Sequence, residues 1–118
     1  MDYKLFDAER RFMSIIWEAE PVNSTELSKL AFSALGWKKS TTYNMIRRLA
    51  ERGLVQNENA TVHSCVTREE VARYESDELI EKSYAGSVPA FLAAYLKDRK
   101  LTAAEAFELK RMIEEAES

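Results

Sequence analysis

The segment WKKSTTYNMIRRLAERGLV, residues 37–55, concentrates side chains that suit contact with a polyanion. It carries one acidic residue, Glu51, against five basic residues: Lys38, Lys39, Arg47, Arg48 and Arg52. Ammonium and guanidinium groups bind phosphate oxygens, while hydroxyl and amide side chains can hydrogen-bond to the edges of nucleic-acid bases. Because the whole chain has a formal net charge of -3, this local positive charge needs an explanation.

The charge is divided unevenly along the 118 residues. Residues 1–68 hold 10 Lys and Arg against 8 Asp and Glu, whereas residues 69–118 hold 7 against 12. The acidic average therefore comes from the second half of the chain. A polyanionic partner is expected to contact the first half.

The same segment has the apolar spacing of a helix, helix 3. Thr42, Met45, Ile46 and Leu49 recur at i, i+3, i+4 and i+7, which places them on one inward face. Gly53 is suited to end the helix. The outward face is then formed by small polar and charged residues: Ser40, Thr41, Tyr43, Asn44, Arg47, Arg48 and Glu51.

Five further helices and a hairpin surround this element. Helix 1 follows an N-cap at Asp7 and stops at Pro21, and helix 2 runs from an N-cap at Asn23 to Gly36. Two strands, about 54–57 and 62–66, are expected to form a hairpin. Thr67, Ser87 and Thr102 cap helices 4, 5 and 6, with helix 5 covering residues 88–100. The order of these elements predicts a mainly α fold, with a winged helix-turn-helix domain over 1–68 and a three-helix dimerisation region over 69–118.

In a winged helix-turn-helix domain the third helix enters the major groove of DNA. Ser40, Thr41 and Asn44 are then expected to contact base edges, and Tyr43 a thymine methyl or a sugar. The five basic residues are expected at phosphates. The start of helix 2, with free amides at Ser24 and Thr25, is a further predicted phosphate site.

Two other interpretations of the first half stay open. A basic helix is often only a solvated surface, and winged helices also act as protein–protein adaptors that do not bind DNA. The hairpin segment NENATVHS contains no Lys or Arg, and Glu58 would repel phosphate. The wing is therefore expected to be structural, or to contact DNA only through Asn57, Asn59 or Thr61.

The motifs together resemble the penicillinase and methicillin-resistance repressor family, which also includes copper-responsive repressors. The similarity runs from about Phe6 to Glu115. LFDAERRFMSIIWEAEPVNSTEL resembles the family's opening, WKKSTTYNMIRRLAERGLV its recognition helix, and YAGSVPAFLAAYL the stretch that opens its dimerisation helices. The strongest matches in the recognition helix are Thr41, Arg48, Leu49 and Gly53.

The resemblance implies a homodimeric repressor on a palindromic operator, with a membrane sensor protease that acts indirectly. Typical members are cleaved at an Asn-Phe pair in the equivalent of helix 5, where this chain has Ala94-Tyr95. The copper-responsive members have a cysteine cluster near the C-terminus. This chain has no cysteine after Cys65, which does not support copper sensing.

The second half independently suggests self-association. Its helices carry more apolar surface than they can readily bury alone, and an identical partner would cover it. The predicted dimerisation residues are Tyr74, Leu79, Val88, Phe91, Leu92, Tyr95, Leu96, Leu109, Met112 and Ile113. Packing of these helices on the winged domain, and a small-molecule effector in the dimer cleft, stay open as alternatives.

Other classes of function find little support in the sequence. His63 and Cys65 are two apart on a predicted strand, but two ligands are too few for a metal site in one chain, and we interpret them as a surface imidazole and a buried thiol. No cofactor, metal or catalytic constellation is predicted, so the protein is not expected to be an enzyme. With no membrane span or secretory signal, the expected location is the cytoplasm.

Overall fold

The computed structural model describes residues 2–117, which form six helices and three strands. The helices are α1 (Asp7–Ala19), α2 (Ser24–Leu35), α3 (Lys39–Glu51), α4 (Arg68–Tyr84), α5 (Val88–Leu96) and α6 (Ala103–Ala116). The strands are β1 (Val22–Asn23), β2 (Val55–Glu58) and β3 (Thr61–Ser64). The predicted fold class, three helices and a hairpin followed by a helical region, is confirmed.

The chain divides into two units, the first ending at Glu78 and the second beginning at Leu79. The division lies inside α4, ten residues after the boundary that we predicted from the sequence. Val71, near the start of α4, is 2% exposed and belongs to the core of the first unit. The first turns of α4 therefore belong to the winged domain.

The core of the first unit forms where the apolar faces of α1, α2 and α3 meet the hairpin. Each large apolar side chain removed from water there contributes roughly 1.5–3 kcal/mol. Its fully buried apolar side chains are Phe12, Met13, Ile16, Leu27, Ala31, Leu49, Leu54 and Val62. Leu49, one of the residues predicted for the inward face of helix 3, is therefore part of the core.

The sheet has three strands in the order β1-β3-β2, all antiparallel. β2 and β3 are joined by a two-residue turn in which Asn59 and Ala60 have positive φ angles of 51° and 62°. This backbone matches the twist of the flanking strands, so the hairpin closes without an Asn-Gly pair. β1 was not predicted, since its two residues, paired with Val62 and Thr61, are too few to show an alternating pattern.

Two predicted helix limits are wrong. Asp7 is the first residue of α1 rather than its N-cap; Phe6 is the N-cap, and its amide donates to the Glu9 carboxylate at 2.9 Å. α5 ends at Leu96 instead of residue 100, because Lys97 leaves the helical conformation and Asp98 has a φ of 60°. The charged residues that follow Leu96 offer no apolar face to hold another turn.

The other predicted caps are confirmed. Asn23 Oδ1 accepts a hydrogen bond from the Thr25 amide at 2.8 Å, at the start of α2. Thr67 caps α4, Ser87 caps α5 and Thr102 caps α6, each through its side-chain oxygen and the amide three residues later. These bonds satisfy amides that have no partner inside the helix.

Thr42 is the polar exception in this core. It is 0% exposed, and its hydroxyl has no hydrogen-bond partner among residues 2–117. A buried hydroxyl without a partner loses its contacts with water and gains none in return.

We therefore expect Thr42→Val to raise the free energy of unfolding by about 1 kcal/mol. The valine methyl keeps the shape of the side chain and removes the unsatisfied group. Urea unfolding followed by circular dichroism measures the change, with Thr41→Val, at an exposed position of the same helix, as the matched control. A less stable Thr42→Val variant would show that the hydroxyl has a stabilising partner.

Candidate nucleic-acid interface

The third helix separates its two faces as the sequence predicts. Thr42, Met45, Ile46 and Leu49 are buried, each at most 7% exposed. The polar face is open to solvent, with Tyr43 half-buried at its edge: Lys39, Ser40, Thr41, Asn44, Arg47 and Arg48 are all exposed. The buried face fixes the rotation of α3 about its axis, so these six side chains are held on the outside.

Tyr43 joins α3 to the beginning of α2. Hydrogen bonds with the side chains of Ser24 and Thr25 hold the pKa of the Tyr43 phenol below its usual value. The Lys39 ammonium lies 5.8 Å from the centre of the Tyr43 ring, within reach of a cation–π interaction. Four predicted site residues are therefore brought together in one patch.

The two amides that were expected to be free at the start of α2 are occupied. The Ser24 amide donates to the carbonyl of Ala60 at 2.7 Å, and the Thr25 amide donates to Asn23 Oδ1. The first bond follows from the pairing of β1 with β3, which the sequence did not reveal. The Ser24 side chain is also buried, whereas that of Thr25 is exposed.

The basic residues of α3 fall into two groups. Arg47 lies on the open face, and its Nη1 is 3.4 Å from Asn44 Oδ1. Arg52 is turned inward: it pairs with Glu9 at 3.0 Å and donates to the carbonyl of Lys4. Arg52 thus has partners inside the domain, while Lys38, Lys39 and Arg47 have charge that faces solvent.

Glu9 is a charged residue that sequence reasoning missed. It is 2% exposed, although it lies near the start of α1. Its spacing to Phe12, Met13 and Ile16 is i, i+3, i+4 and i+7, so it continues the apolar stripe of that helix. A carboxylate on a buried face requires a charged or hydrogen-bonding partner. The spacing of Glu9 could therefore have shown, from the sequence alone, that this residue is buried and paired.

The wing offers polar but uncharged contacts, apart from Glu58. Gln56, Asn57 and Asn59 are exposed along β2 and the turn. The Gln56 amide donates to the Glu58 carboxylate. The wing, residues 55–64, contains no Lys or Arg.

The second unit has an exposed apolar surface. No residue of α5 or α6 is buried. Val88, Tyr95, Phe107, Met112 and Ile113 are each at least 50% exposed. Between α5 and α6 runs a groove whose apolar lining includes Phe91, Leu92, Leu96 and Leu109.

Tyr74, also predicted for dimerisation, instead packs edge-on against Tyr3 within the first unit, with ring centres 5.9 Å apart.

The interpretation of His63 and Cys65 was wrong in one respect. Cys65 is exposed rather than buried, whereas the His63 side chain is half-buried. β3 ends at Ser64, so Cys65 lies just after the strand that was predicted to contain it. Within the described part of the chain, no three His, Cys, Asp or Glu side chains are grouped as metal ligands.

None of the helices described here is long and apolar enough to span a membrane.

Comparison with known proteins agrees with this arrangement. The family model described as penicillinase repressor matches residues 5–115. The penicillinase repressor of Bacillus licheniformis is 22% identical over 116 residues, which covers 95% of this chain and 91% of that relative. The family resemblance predicted from the sequence is therefore confirmed. The chain belongs to the penicillinase repressor family, a family of transcriptional repressors.

Proposed function

We propose that this protein is a homodimeric, sequence-specific repressor that acts in the cytoplasm and binds a palindromic operator through α3. The observation that carries the proposal is the division of α3 into two faces. One face is buried in the core, and the other presents hydroxyl, amide and cationic groups to solvent. A helix with these properties matches the chemistry of a major groove lined by phosphates.

The exposed residues of α3 suggest two roles. Ser40, Thr41 and Asn44 are near the start of the helix, where recognition helices contact base edges. Lys38, Lys39 and Arg47 carry solvent-facing charge that suits phosphates, which fix register without reading sequence. Tyr43 supports the first role, since it lies half-buried at the edge of this face, where its ring can contact a thymine methyl or a sugar.

The second unit supports the proposal of a symmetric dimer. Helices α5 and α6 leave most of their apolar side chains in water, and an identical copy would cover the same patch on both chains. A symmetric dimer would offer two recognition helices to half-sites about 34 Å apart, one turn of DNA. Linking two weak half-site contacts raises affinity through effective concentration.

Operator release would follow from loss of the dimer. Ala94 and Tyr95, which stand where the resemblance places the family's cleavage pair, lie inside α5. A protease needs an extended segment, so cleavage there would require α5 to unwind first. In this proposal a membrane sensor protease would start the process indirectly.

Fluorescence anisotropy separates a repressor from a protein–protein adaptor. The wild-type chain is titrated into labelled palindromic and scrambled duplexes at two salt concentrations. A repressor is expected to bind a palindromic operator duplex tightly even when unlabelled scrambled duplex is present as competitor. An adaptor would show no binding that survives this competition.

Arg47→Ala should weaken binding to every duplex. The loss of one phosphate contact per half-site lowers the slope of log K against log salt by about one unit per half-site. Anisotropy at four or five salt concentrations gives the slope. Arg73→Ala removes the same side chain from α4, outside the proposed interface, and should leave the slope unchanged. An unchanged slope for Arg47→Ala would contradict its phosphate role.

Thr41→Ala should instead relax preference at one base pair. The exposed hydroxyl is proposed to bond a base edge, so its removal narrows the gap between the preferred and wrong base by roughly 1–3 kcal/mol. A set of operators with single base-pair changes measures this preference. If Thr41→Ala weakened binding equally to every operator in the set, Thr41 would contact a phosphate and not a base.

Ile113→Asp should convert the dimer to a monomer. A carboxylate at this 58%-exposed position would have to lose its water in the dimer interface. Sedimentation equilibrium measures the mass, and Phe32→Asp, at a 67%-exposed apolar residue of α2, is the matched control that should remain dimeric. A wild-type monomer at high concentration would contradict the proposed dimer.

A further inference from the structure

Glu9 occupies an unusual position for a carboxylate beside a DNA-binding surface. Its side chain is 3% exposed. Oε1 accepts the Phe6 amide at 2.9 Å, and Oε2 faces two guanidinium groups. Arg48 comes from the last turn of α3 and Arg52 is the residue that follows the helix, so Glu9 connects α1 to the end of the proposed recognition helix.

The two arginines use Glu9 differently. Arg52 is 26% exposed, and its Nη1 lies 3.0 Å from Glu9 while its Nη2 donates to the Lys4 carbonyl. Both ends of that guanidinium therefore have acceptors within the domain. Arg52 holds the N-terminal segment against α3.

Arg48 is 56% exposed and meets Glu9 only through Nε, at 3.5 Å. Its Nη2 lies 3.4 Å from the sulfur of Met45, which is a weak acceptor. Across residues 2–117, no oxygen accepts a hydrogen bond from its two terminal nitrogens. The inner edge of the guanidinium thus faces the Glu9 carboxylate as an ion pair, and its outer edge is left for an acceptor outside the protein.

We propose that Glu9 is a positioning residue that orients Arg48 toward a phosphate of the operator. This inference rests on the proposed function. An arginine that is already held loses less side-chain freedom when it binds a phosphate, and the planar guanidinium can serve a carboxylate on one edge and a phosphate on another. Glu9 itself touches no DNA in this arrangement.

Removing the Glu9 carboxylate is expected to change DNA affinity in the direction opposite to the one that charge alone predicts. Removing a carboxylate beside a phosphate-binding arginine makes the surface more positive, which by itself would tighten DNA binding. Loss of positioning weakens it. Glu9→Gln keeps the shape of the side chain and an oxygen for the Phe6 amide, but it removes the charge that holds Arg48.

A double-mutant cycle tests the proposal with wild type, Glu9→Gln, Arg48→Ala and the double variant, each titrated into the same palindromic duplex. We expect Glu9→Gln to weaken binding by about 3- to 10-fold, and the double variant to bind no more weakly than Arg48→Ala, since coupled residues are not additive. Thermal melting of each variant shows that the fold persists at the titration temperature. Unchanged or tighter binding by Glu9→Gln, or the same fold loss in the Arg48→Ala background, would overturn the positioning role.

Arg48→Lys provides an arm that leaves the buried residue intact. Lysine keeps the charge but has no second edge, so it cannot serve Glu9 and a phosphate together. It should weaken binding by a similar factor and make the chain insensitive to Glu9→Gln. Full affinity of Arg48→Lys would contradict the proposal. If the wild type binds the duplex and the losses caused by Glu9→Gln and Arg48→Ala are additive, only the positioning role of Glu9 is overturned. If the wild type does not bind the duplex at all, the proposed function is overturned as well.

Discussion

The burial of one face of α3 is the constraint on which the rest of the structure depends. Met45, Ile46 and Leu49 are withdrawn from water against α2 and the hairpin, and together they fix how the helix is rotated. Once that rotation is fixed, the residues between them in sequence must face outward. The same hydrophobic contacts that stabilise the domain therefore determine which polar groups a partner meets.

Electrostatics refines this arrangement. The basic segment 37–55 contains two kinds of cation in the folded domain. One arginine forms contacts within the domain, and the other cations face solvent. Arg52 is largely neutralised by Glu9 and backbone carbonyls, whereas Arg47 lies beside Asn44 on the open face. The count of basic residues thus overstates the free positive charge. In the proposed complex the duplex would still contact Lys38, Lys39, Arg47 and the outer edge of Arg48, all of which are exposed.

The sequence predicted the parts of the fold that depend on local patterns. The six helices, the hairpin, the two faces of α3 and the caps at Asn23, Thr67 and Thr102 all follow from spacing and from short-range hydrogen bonds. What it missed depends on contacts between distant segments. The pairing of β1 with β3 occupies the Ser24 amide, and the burial of Glu9 requires arginines some forty residues away. The exposure of Cys65 could not be read from strand alternation either, because β3 ends at Ser64.

In the proposed function the first unit contacts DNA, the second unit self-associates, and α3 is the centre of the interface. The most direct test is nuclear magnetic resonance of the isotope-labelled full chain during titration with a palindromic operator duplex. The account predicts that amide shifts concentrate in residues 38–48 and around Thr25, with the charged face of α4 little affected. Shifts that concentrate on α4 or the second unit and leave residues 38–48 unchanged, or no shifts at low salt, would contradict it.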